Sequence, residues 1–231
     1  MKKKRSSMLI LVPAFNEEKN ILHVIDDINT HCPEIDYLVI NDGSSDNTLK
    51  ICKEKGVDVL DLPINLGLAG AFQAGMRYAV ENRYEYAIQF DGDGQHCAKY
   101  ISAMLAHANE KKCNIVIASR YIDQKRGNSF REIGSRLIGF CIFLTTGHYL
   151  TDPTSGMRLY DLNVMKKIAS YMNYSPEPDT IAALLRQGAL VEEIPATMRE
   201  RVYGRSYLTC GKSLKYMFHV CMSILVVNWM R

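Results

Sequence analysis

Residues 86–93 read YAIQFDGD, which predicts a buried strand that ends in the two carboxylates Asp91 and Asp93. In a parallel α/β sheet, the groups that follow the strands meet at the carboxyl edge, where ligands bind. Two neighbouring carboxylates repel each other unless a cation neutralises them. Oxygen ligands of this kind suit Mg²⁺ or Mn²⁺, which keep coordination positions for phosphate oxygens. The stretch therefore predicts a divalent metal held against a phosphorylated substrate, although a D-x-D sequence also occurs in ordinary surface turns.

Outward from this stretch, short apolar runs alternate with segments of helical periodicity. Strands are predicted at 8–12, 37–40, 57–62, 86–90 and 115–118, and helices at 17–29, 47–55, 66–80 and 100–110. This alternation predicts an α/β protein with a mostly parallel sheet flanked by helices. After residue 120 the alternation weakens, and the remaining predictions are a charged loop at 123–128, a helix over 130–150, a strand at 191–194 and a basic loop at 199–206.

Composition narrows the class of protein. The chain has 231 residues, of which 47% are hydrophobic and 23% charged, so it is globular and long enough for one sizeable core. A net charge of +3 is too small to indicate nucleic-acid binding. The seven cysteines are odd in number and include no C-x-x-C pair, which is typical of reduced thiols in a cytosolic protein.

The two ends of the chain differ in character. Residues 1–5 read MKKKR, and the apolar run that follows is too short for a signal peptide, so we expect a solvated tail or contact with an anionic membrane. Residues 214–230 read LKYMFHVCMSILVVNWM, which is apolar but shorter than the ~20 residues of a membrane-spanning helix. A buried helix, a contact with a second copy or a membrane partner protein, and a helix in the membrane interface all fit this segment. We therefore expect a main domain over 1–210 and an apolar helix over 211–231.

Five polar motifs occur in order along the chain. They are VPAFNE at 12–17, NDGSSDNT at 41–48, NLG at 65–67, DGDGQH at 91–96 and ASRY at 118–121. Together they resemble the family 2 glycosyltransferases of GT-A fold, and within these the polyprenyl-phosphate sugar synthases of dolichyl-phosphate mannosyltransferase type. The resemblance covers about residues 8–210. It implies an inverting transfer of a sugar from a UDP- or GDP-linked donor to a polyprenyl phosphate at the cytoplasmic membrane face, with Mg²⁺ or Mn²⁺, in cell-surface glycan synthesis.

The resemblance also implies roles for individual residues on the donor side. The nucleotide-sugar-binding set is Pro13, Ala14, Phe15, Asn16, Glu17, Asp42, Gly67 and Asp91, joined by Arg201 and Ser206 from the basic loop. The implied metal ligands are Asp91, Asp93 and Gln95, and catalytic roles fall to Asp93 and Arg201. Asn41 stands where the family usually has Asp, and His96 is either a further metal ligand or a structural residue. From the residues alone, Asn16 also fits a helix cap, and Asp46 fits the cap of the helix at 47–55.

On the acceptor side, Arg120, Arg131 and Ser135 match positions that hold the phosphate of a lipid acceptor in the synthases. Guanidinium groups suit phosphate through paired hydrogen bonds, although these arginines also fit solvated charge. The alternative acceptor is a sugar hydroxyl of a growing glycan, with Asp179 as the catalytic base. Capping of a helix over 180–187 is the other interpretation of Asp179.

Two other classes of protein are disfavoured. A nucleotidyltransferase needs a glycine-rich loop near the N-terminus for its triphosphate, and the first glycine of this chain is Gly43. A non-catalytic membrane-associated subunit would not need the acidic pair or Arg201. The glycines at 67, 70 and 75 do not form G-x-G-x-x-G, so they do not indicate a dinucleotide cofactor.

Overall fold

The computed structural model describes residues 6–123, 127, 129–171, 174–199 and 210–226. Its sheet consists of the strands β1 (Met8–Ala14), β2 (Asp36–Asn41), β3 (Val59–Asp61), β4 (Tyr86–Gln89), β5 (Ile115–Ser119), β6 (Arg158–Asp161) and β7 (Val191–Pro195). Their spatial order is β3-β2-β1-β4-β6-β5-β7. Only β6 runs antiparallel to its neighbours β4 and β5 among these strands. The predicted α/β class with a mostly parallel sheet is confirmed.

Helices cover both faces of this sheet. They are α1 (Ile21–His31), α2 (Thr48–Glu54), α3 (Gly67–Glu81), α4 (Ile101–Lys111), α5 (Phe130–Thr146), α6 (Leu162–Ser170), α7 (Pro178–Arg186) and α8 (Cys210–Leu225). One apolar cluster joins the sheet to α3, α5, α6, α7 and α8, and the other joins it to α1, α2 and α4. Because both faces are covered, β1 is buried at every position and reads as a continuous apolar run.

Several predicted boundaries move for identifiable reasons. The first helix begins at Ile21 instead of residue 17, with residues 18–20 in a turn and Asn20 at the N-cap position. Asn16 lies before this turn, has φ +56° and bonds the next loop through its side chain. Asn16 is therefore not a helix cap. The helix predicted over 130–150 ends at Thr146, where Gly147 adopts a left-handed cap with φ +73°. The N-cap of α2 is Asn47, so Asp46 lies one residue before the cap position, where its Oδ1 accepts a hydrogen bond of 2.9 Å from the amide of Thr48, the first residue of the helix.

The C-terminal helix α8 is half core and half surface. Val220, Cys221 and Ile224 are buried and join the cluster that contains α5 and α7, whereas Phe218 is 69% exposed. The buried-helix interpretation therefore holds for one side of α8, and the division of the chain near residue 210 stays a prediction. Within the described part of the chain, no helix combines the length and the apolar character needed to cross a membrane.

Candidate active site

A cavity of about 360 Å³ opens where β1, β2 and β4 end. It is lined by Pro13, Ala14, Phe15, Glu17, Asp42, Asn65, Gly67, Leu68, Ala71, Asp91, Gly92 and Asp93. Ten of these twelve residues come from four of the five motifs, which are far apart in the sequence, and Leu68 and Ala71 come from α3. Every predicted donor-side residue that the structure describes lines this cavity except Asn16 and the predicted metal ligand Gln95. The carboxyl edge of the sheet therefore brings the predicted set together.

Hydrogen bonds between loops hold the cavity wall in place. Asp42 is buried, and its Oδ1 accepts a bond of 2.7 Å from the Leu66 amide just before α3. Gly43 has φ +65°, and a Cβ atom there would lie 2.7 Å from the Asn65 nitrogen, so only glycine allows the two loops to approach so closely. Asn16 contributes from outside the lining, because its Oδ1 accepts a bond of 2.9 Å from the Ser45 amide.

Position 41 has a structural role. Asn41 is buried at the end of β2, and its Nδ2 donates a bond of 2.7 Å to Asp61 Oδ1 at the end of the edge strand β3. Its own Oδ1 accepts a bond of 3.3 Å from the Ser44 amide. An amide can donate to one neighbour and accept from another, which an ionised carboxylate cannot do. Asn41 therefore joins two strands and a turn beneath the cavity.

Asp91 is oriented by groups on both sides. Its Oδ1 accepts a bond of 3.0 Å from Gln89 Nε2, and its backbone amide donates a bond of 2.9 Å to His96 Nδ1. Because Nδ1 accepts, the ring proton of neutral His96 sits on Nε2, which lies 3.6 Å from Asp91 Oδ2. The imidazole is 4% exposed and packs edge-to-face against Phe90. This geometry favours the structural interpretation of His96 over metal ligation.

Asp93 lies in a tight turn that also contains Gln95. Asp93 is 8% exposed, and its Oδ1 accepts a bond of 3.0 Å from the Gln95 amide across Gly94. Gly92 lets this turn rest against β1, because a Cβ atom there would lie 2.9 Å from the Pro13 carbonyl oxygen. The carbonyl oxygen of Gln95 in turn accepts a bond of 2.8 Å from the Arg199 amide. The chain therefore enters the predicted basic loop directly beside the acidic turn.

The acidic turn fits a cation that is shared with a substrate. Among the described residues, no group of three or more His, Cys, Asp or Glu side chains converges on one point. Two carboxylates and a nearby amide side chain leave most of an oxygen coordination shell to phosphate and water. This donor set suits Mg²⁺ or Mn²⁺ on a diphosphate better than a closed structural metal site.

A second polar network begins where β5 ends. Arg120 Nε donates a bond of 2.6 Å to Asp152 Oδ2, and Nη2 donates bonds of 2.8 Å to Asp152 Oδ1 and 3.1 Å to Thr154 Oγ1. Thr154 Oγ1 lies 3.2 Å from Ser135 Oγ on α5. Burial by itself would lower the pKa of Arg120, but the bonds and charge of Asp152 outweigh it, so the net shift of that pKa is upward. The structure thus brings two of the predicted acceptor residues, Arg120 and Ser135, into one network.

The remaining edge of the Arg120 guanidinium faces away from this network. Nε and Nη2 use their three hydrogens on Asp152 and Thr154, and within the described ranges no atom accepts a hydrogen bond from Nη1. The Arg120 side chain is 35% exposed, whereas that of Asp152 is fully buried. The ion pair therefore fixes the guanidinium plane and leaves its Nη1 hydrogens available to an anion.

Sequence reasoning missed the loop that supports Arg120. Residues 151–156 read TDPTSG, and Glu193 on β7 accepts bonds of 2.6 Å and 2.7 Å from the amides of Thr151 and Asp152. The signal was a cluster of turn-forming residues that contains a carboxylate. That signal indicates a loop, but it does not reveal that the loop packs against the end of β5.

Some predicted residues lie apart from the cavity or outside the described part of the chain. Asp179 is in the first turn of α7, where its Oδ2 accepts a bond of 2.7 Å from Ser223 Oγ and its Oδ1 one of 3.0 Å from the Thr180 amide. It does not line the cavity. The backbone of Arg131 belongs to α5, but its side chain is not described, and Arg201 and Ser206 fall outside the described residues.

A buried polar cluster links α7 and α8 to the loop before β6. Arg158 is 1% exposed and donates to the carbonyl oxygens of Ser155 at 2.7 Å and Pro153 at 2.8 Å. Glu177 accepts a hydrogen bond from the Tyr216 hydroxyl. Burial raises the pKa of Glu177, against the opposing effects of Tyr216 and Arg158. This cluster attaches the C-terminal helix to the loop that contains Asp152 and Thr154, the hydrogen-bond partners of Arg120.

The comparisons with known proteins agree with this geometry. The family model described as Glycosyl transferase family 2 matches residues 9–169, well over half of the chain. The chain belongs to glycosyltransferase family 2. This family 2 protein is 26% identical over 225 residues to the polyprenol monophosphomannose synthase of Mycolicibacterium smegmatis, covering 92% of this chain and 84% of that one. It is 28% identical over 183 residues to the UDP-N-acetylglucosamine–dolichyl-phosphate N-acetylglucosaminyltransferase of Methanococcus voltae, covering 71% and 72%.

Solved structures show the same fold. The glucosyl-3-phosphoglycerate synthase of Mycobacterium tuberculosis, in complex with Mn²⁺, UDP-glucose and phosphoglyceric acid, superposes with a TM-score of 0.69 at 16% identity, covering 94% of this chain and 79% of that one. A mannosyltransferase of Pyrobaculum calidifontis, in complex with GDP-Man and Mn²⁺, gives 0.64 at 13% identity, covering 97% and 71%. At these identities the likeness concerns the fold, and the family 2 protein has the GT-A architecture.

Proposed function

We propose that this family 2 glycosyltransferase moves a sugar, with inversion at C1, from a UDP- or GDP-linked donor to a polyprenyl phosphate. The observation that carries the proposal is the cavity of about 360 Å³ that collects the predicted donor residues together with Asp91 and Asp93. The named activities of three relatives support the acceptor class, since they are a dolichyl-phosphate, a polyprenol and an undecaprenyl-phosphate sugar transferase. Solved GT-A neighbours that bind Mn²⁺ with a nucleotide or nucleotide sugar support the metal and the donor.

Each part of the site has a role in this reaction. Asp42 would accept hydrogen bonds from the base or ribose, and Asp91, Asp93 and Gln95 would hold Mg²⁺ or Mn²⁺. When bound, the cation offsets the negative charge that develops on the nucleoside diphosphate. An oxygen of the acceptor phosphate attacks C1 while the bond from C1 to the diphosphate oxygen breaks, and the bonding electrons leave with the diphosphate. The Nη1 edge of Arg120 would hold the acceptor phosphate in line.

The acceptor phosphate is already ionised near neutral pH, so this reaction needs no protein base. A glycan hydroxyl would need one, and Asp179 is the candidate from the sequence. Both carboxylate oxygens of Asp179 accept hydrogen bonds from protein groups at 2.7 Å and 3.0 Å. Asp179 is thereby held between α7 and α8, and it does not line the donor cavity. This geometry favours the phosphate acceptor.

The proposal also implies where the protein works. The phosphate of a polyprenyl phosphate lies at the bilayer surface, and nucleotide sugars are cytoplasmic. The enzyme would therefore act as a peripheral protein at the inner face of the plasma membrane.

A nucleotide-release assay tests the proposal. The protein is incubated with Mg²⁺ or Mn²⁺, a panel of UDP- and GDP-linked sugars and a short-chain polyprenyl phosphate, and release of nucleoside diphosphate is measured with and without the lipid. We expect release that depends on both metal and lipid, and that Asp93→Ala abolishes. Glu110→Gln is the matched control, because the Glu110 side chain is 74% exposed on α4, away from the cavity. If nucleoside diphosphate release depends on the metal and on Asp179 but not on the lipid, the acceptor is a glycan hydroxyl instead of a polyprenyl phosphate.

A further inference from the structure

One buried carboxylate on α1 connects two segments that lie beside the cavity. Asp27 belongs to none of the five motifs and does not line the cavity, and its side chain is only 8% exposed. Its Oδ1 accepts a hydrogen bond of 2.7 Å from Arg199 Nη2, and its Oδ2 accepts one of 2.8 Å from the Ala98 amide. Ala98 begins the short 3₁₀ helix after the acidic turn, and Arg199 lies on the chain that leaves β7. We call Asp27, Ala98 and Arg199 the Asp27 clasp.

The clasp reaches the acidic turn through the backbone of Arg199. The Arg199 amide donates a hydrogen bond of 2.8 Å to the carbonyl oxygen of Gln95. The Gln95 amide in turn donates a bond of 3.0 Å to Asp93 Oδ1, and Asp93 lines the cavity. Two hydrogen bonds therefore lead from Arg199, which Asp27 holds, to the carboxylate that is the predicted metal ligand.

Further contacts keep the same two segments in register. The hydroxyl of Tyr100 lies 2.8 Å from Thr197 Oγ1, and the Cys32 thiol at the end of α1 donates a bond of 3.4 Å to the carbonyl oxygen of Ala98. Residues 95–100 and 197–199 are thus joined directly at two places and through Asp27 at a third. Because Asp27 contacts both segments, it decides how far apart they stand from α1.

The ion pair in the clasp adds little to folding. The Arg199 side chain is 46% exposed, and an ion pair with an exposed partner is screened by solvent. The contact uses a single guanidinium nitrogen, Nη2. Its main consequence is therefore geometric, since it fixes the chain that leaves β7 against α1 and against the acidic turn.

We propose that Asp27 is a positioning residue for the donor diphosphate. By holding Ala98 and Arg199 together, it keeps the acidic turn in one place against the chain that leaves β7. A cation such as Mg²⁺ requires ligands close to octahedral positions, so a displaced Asp93 binds the cation and its diphosphate less tightly. This role rests on the proposed function, because the diphosphate is that of the nucleotide sugar.

Calorimetric titration tests this role without the acceptor. UDP and GDP are each titrated, with Mn²⁺ present, into the original protein and into Asp27→Asn. Whichever way the new amide faces, its NH₂ group meets one of the two N–H donors, so the clasp loses one of its links. We expect the Kd of the nucleotide that the original protein binds to rise at least about fivefold, because a small displacement of the site is costly. The melting temperature should fall by no more than about 4 °C, since the ion pair is partly exposed.

Companion variants separate positioning from a general effect on the fold. Asp26→Asn makes the same chemical change at an exposed neighbour on α1 and should bind the nucleotide like the original protein. Arg199→Gln should match Asp27→Asn, and the double variant should be no weaker than either single variant, because both changes break one link. Arg199→Lys should bind almost as tightly as the original, since an ammonium group can replace a contact that uses one nitrogen.

Steady-state kinetics give a second readout. In the nucleotide-release assay, Asp27→Asn should raise the donor KM at least about fivefold and leave the KM for polyprenyl phosphate unchanged. A purely structural defect would reduce the amount of active enzyme, and so lower the apparent kcat, without changing either KM.

The outcomes separate this proposal from the proposed function. A folded Asp27→Asn protein that binds the nucleotide as tightly as the original, or an effect of equal size in Asp26→Asn, would overturn the positioning role. If the original protein binds neither UDP nor GDP with the metal, the donor site is refuted and this role with it. Nucleotide binding that follows the expected pattern, without lipid-dependent transfer, would keep the role of Asp27 and refute the polyprenyl phosphate acceptor.

Discussion

The variant Asp152→Asn tests whether a buried carboxylate holds Arg120 for the acceptor phosphate. Asp152 is fully buried, and its two oxygens lie 2.6 Å and 2.8 Å from Nε and Nη2 of Arg120. Asparagine keeps the size of the side chain but replaces one acceptor oxygen with an NH₂ donor. That donor would face an N–H of Arg120, so one of the two parallel hydrogen bonds is lost and the guanidinium plane turns away.

The stability cost follows from the burial of the pair. Removing one partner of a buried ion pair costs about 3–5 kcal/mol. The Arg120 side chain is 35% exposed and regains some hydration, and asparagine keeps one bond, so we expect a loss of about 2 kcal/mol. For a chain of this length, that loss lowers the melting temperature by about 4–8 °C.

The kinetic effect should be confined to the acceptor. Nucleoside diphosphate release is measured against polyprenyl phosphate concentration, and we expect the acceptor KM of Asp152→Asn to rise at least about tenfold, or ~1.4 kcal/mol, while the donor KM is unchanged. Arg120→Lys should also raise the acceptor KM, because lysine keeps the positive charge but lacks the two parallel N–H donors of a guanidinium group. Glu54→Gln, at a side chain that is 64% exposed, is the control. An unchanged acceptor KM in Asp152→Asn would refute the reasoning, and would leave the ion pair a purely structural contact.

Three further variants or treatments probe other parts of the molecule. In Gly156→Ala, the new Cβ would lie 2.9 Å from Asp91 Oδ2 and would displace that carboxylate. We expect kcat/KM to fall at least about tenfold with little change in melting temperature. A fully active variant would contradict the placement of Asp91. Burial raises the pKa of Glu177 above its ordinary value, so the folded protein binds a proton on this carboxyl group more tightly than the unfolded chain does. The protonated carboxyl group therefore stabilises the fold at low pH, and this stabilisation is lost as the pH rises above about 4.5. Glu177→Gln should therefore flatten the decline of melting temperature with rising pH; curves that stay parallel would contradict the sign. Burial and the neighbouring thiol raise the pKa of Cys221 to about 12, so iodoacetamide should modify this cysteine at pH 8 only after unfolding. Rapid modification of Cys221 in the native protein, detected by peptide mass spectrometry, would contradict the buried position of the thiol.

The strands β1 and β5 were predictable from the sequence, whereas strand β6 was not. The apolar runs around Met8–Ala14 and Ile115–Ser119 are buried on both faces, which makes them readable as strands. Strand β6 has only four residues, and its first residue is the charged Arg158. Its place between β4 and β5, antiparallel to both, depends on pairing partners more than 40 residues away. No local pattern contains that information.

Most of the cavity lining coincides with residues predicted from the sequence, because those residues sit in short motifs that follow strands, whereas Leu68 and Ala71 on α3 were not predicted. Two of the predicted acceptor residues, Arg120 and Ser135, meet in one network, whereas Asp152, Thr154 and Glu193, which hold Arg120 in place, were not predicted. These three residues lie on a turn and a late strand, and they acquire their role through contacts with the end of β5.

The sequence by itself determined the alternation of strands and helices, and with it the edge at which Asp42, Asp91 and Asp93 had to meet, because side-chain periodicity and chain direction are local properties. Only the tertiary structure decided which groups orient those carboxylates, which hydrogens of Arg120 remain available, and which side of α8 is buried. Those properties depend on distances between segments far apart in the chain, such as the 2.8 Å bond between the Arg199 amide and the Gln95 carbonyl oxygen. Hydrogen bonding and packing across such segments are set when the chain folds, and local sequence pattern carries no record of them.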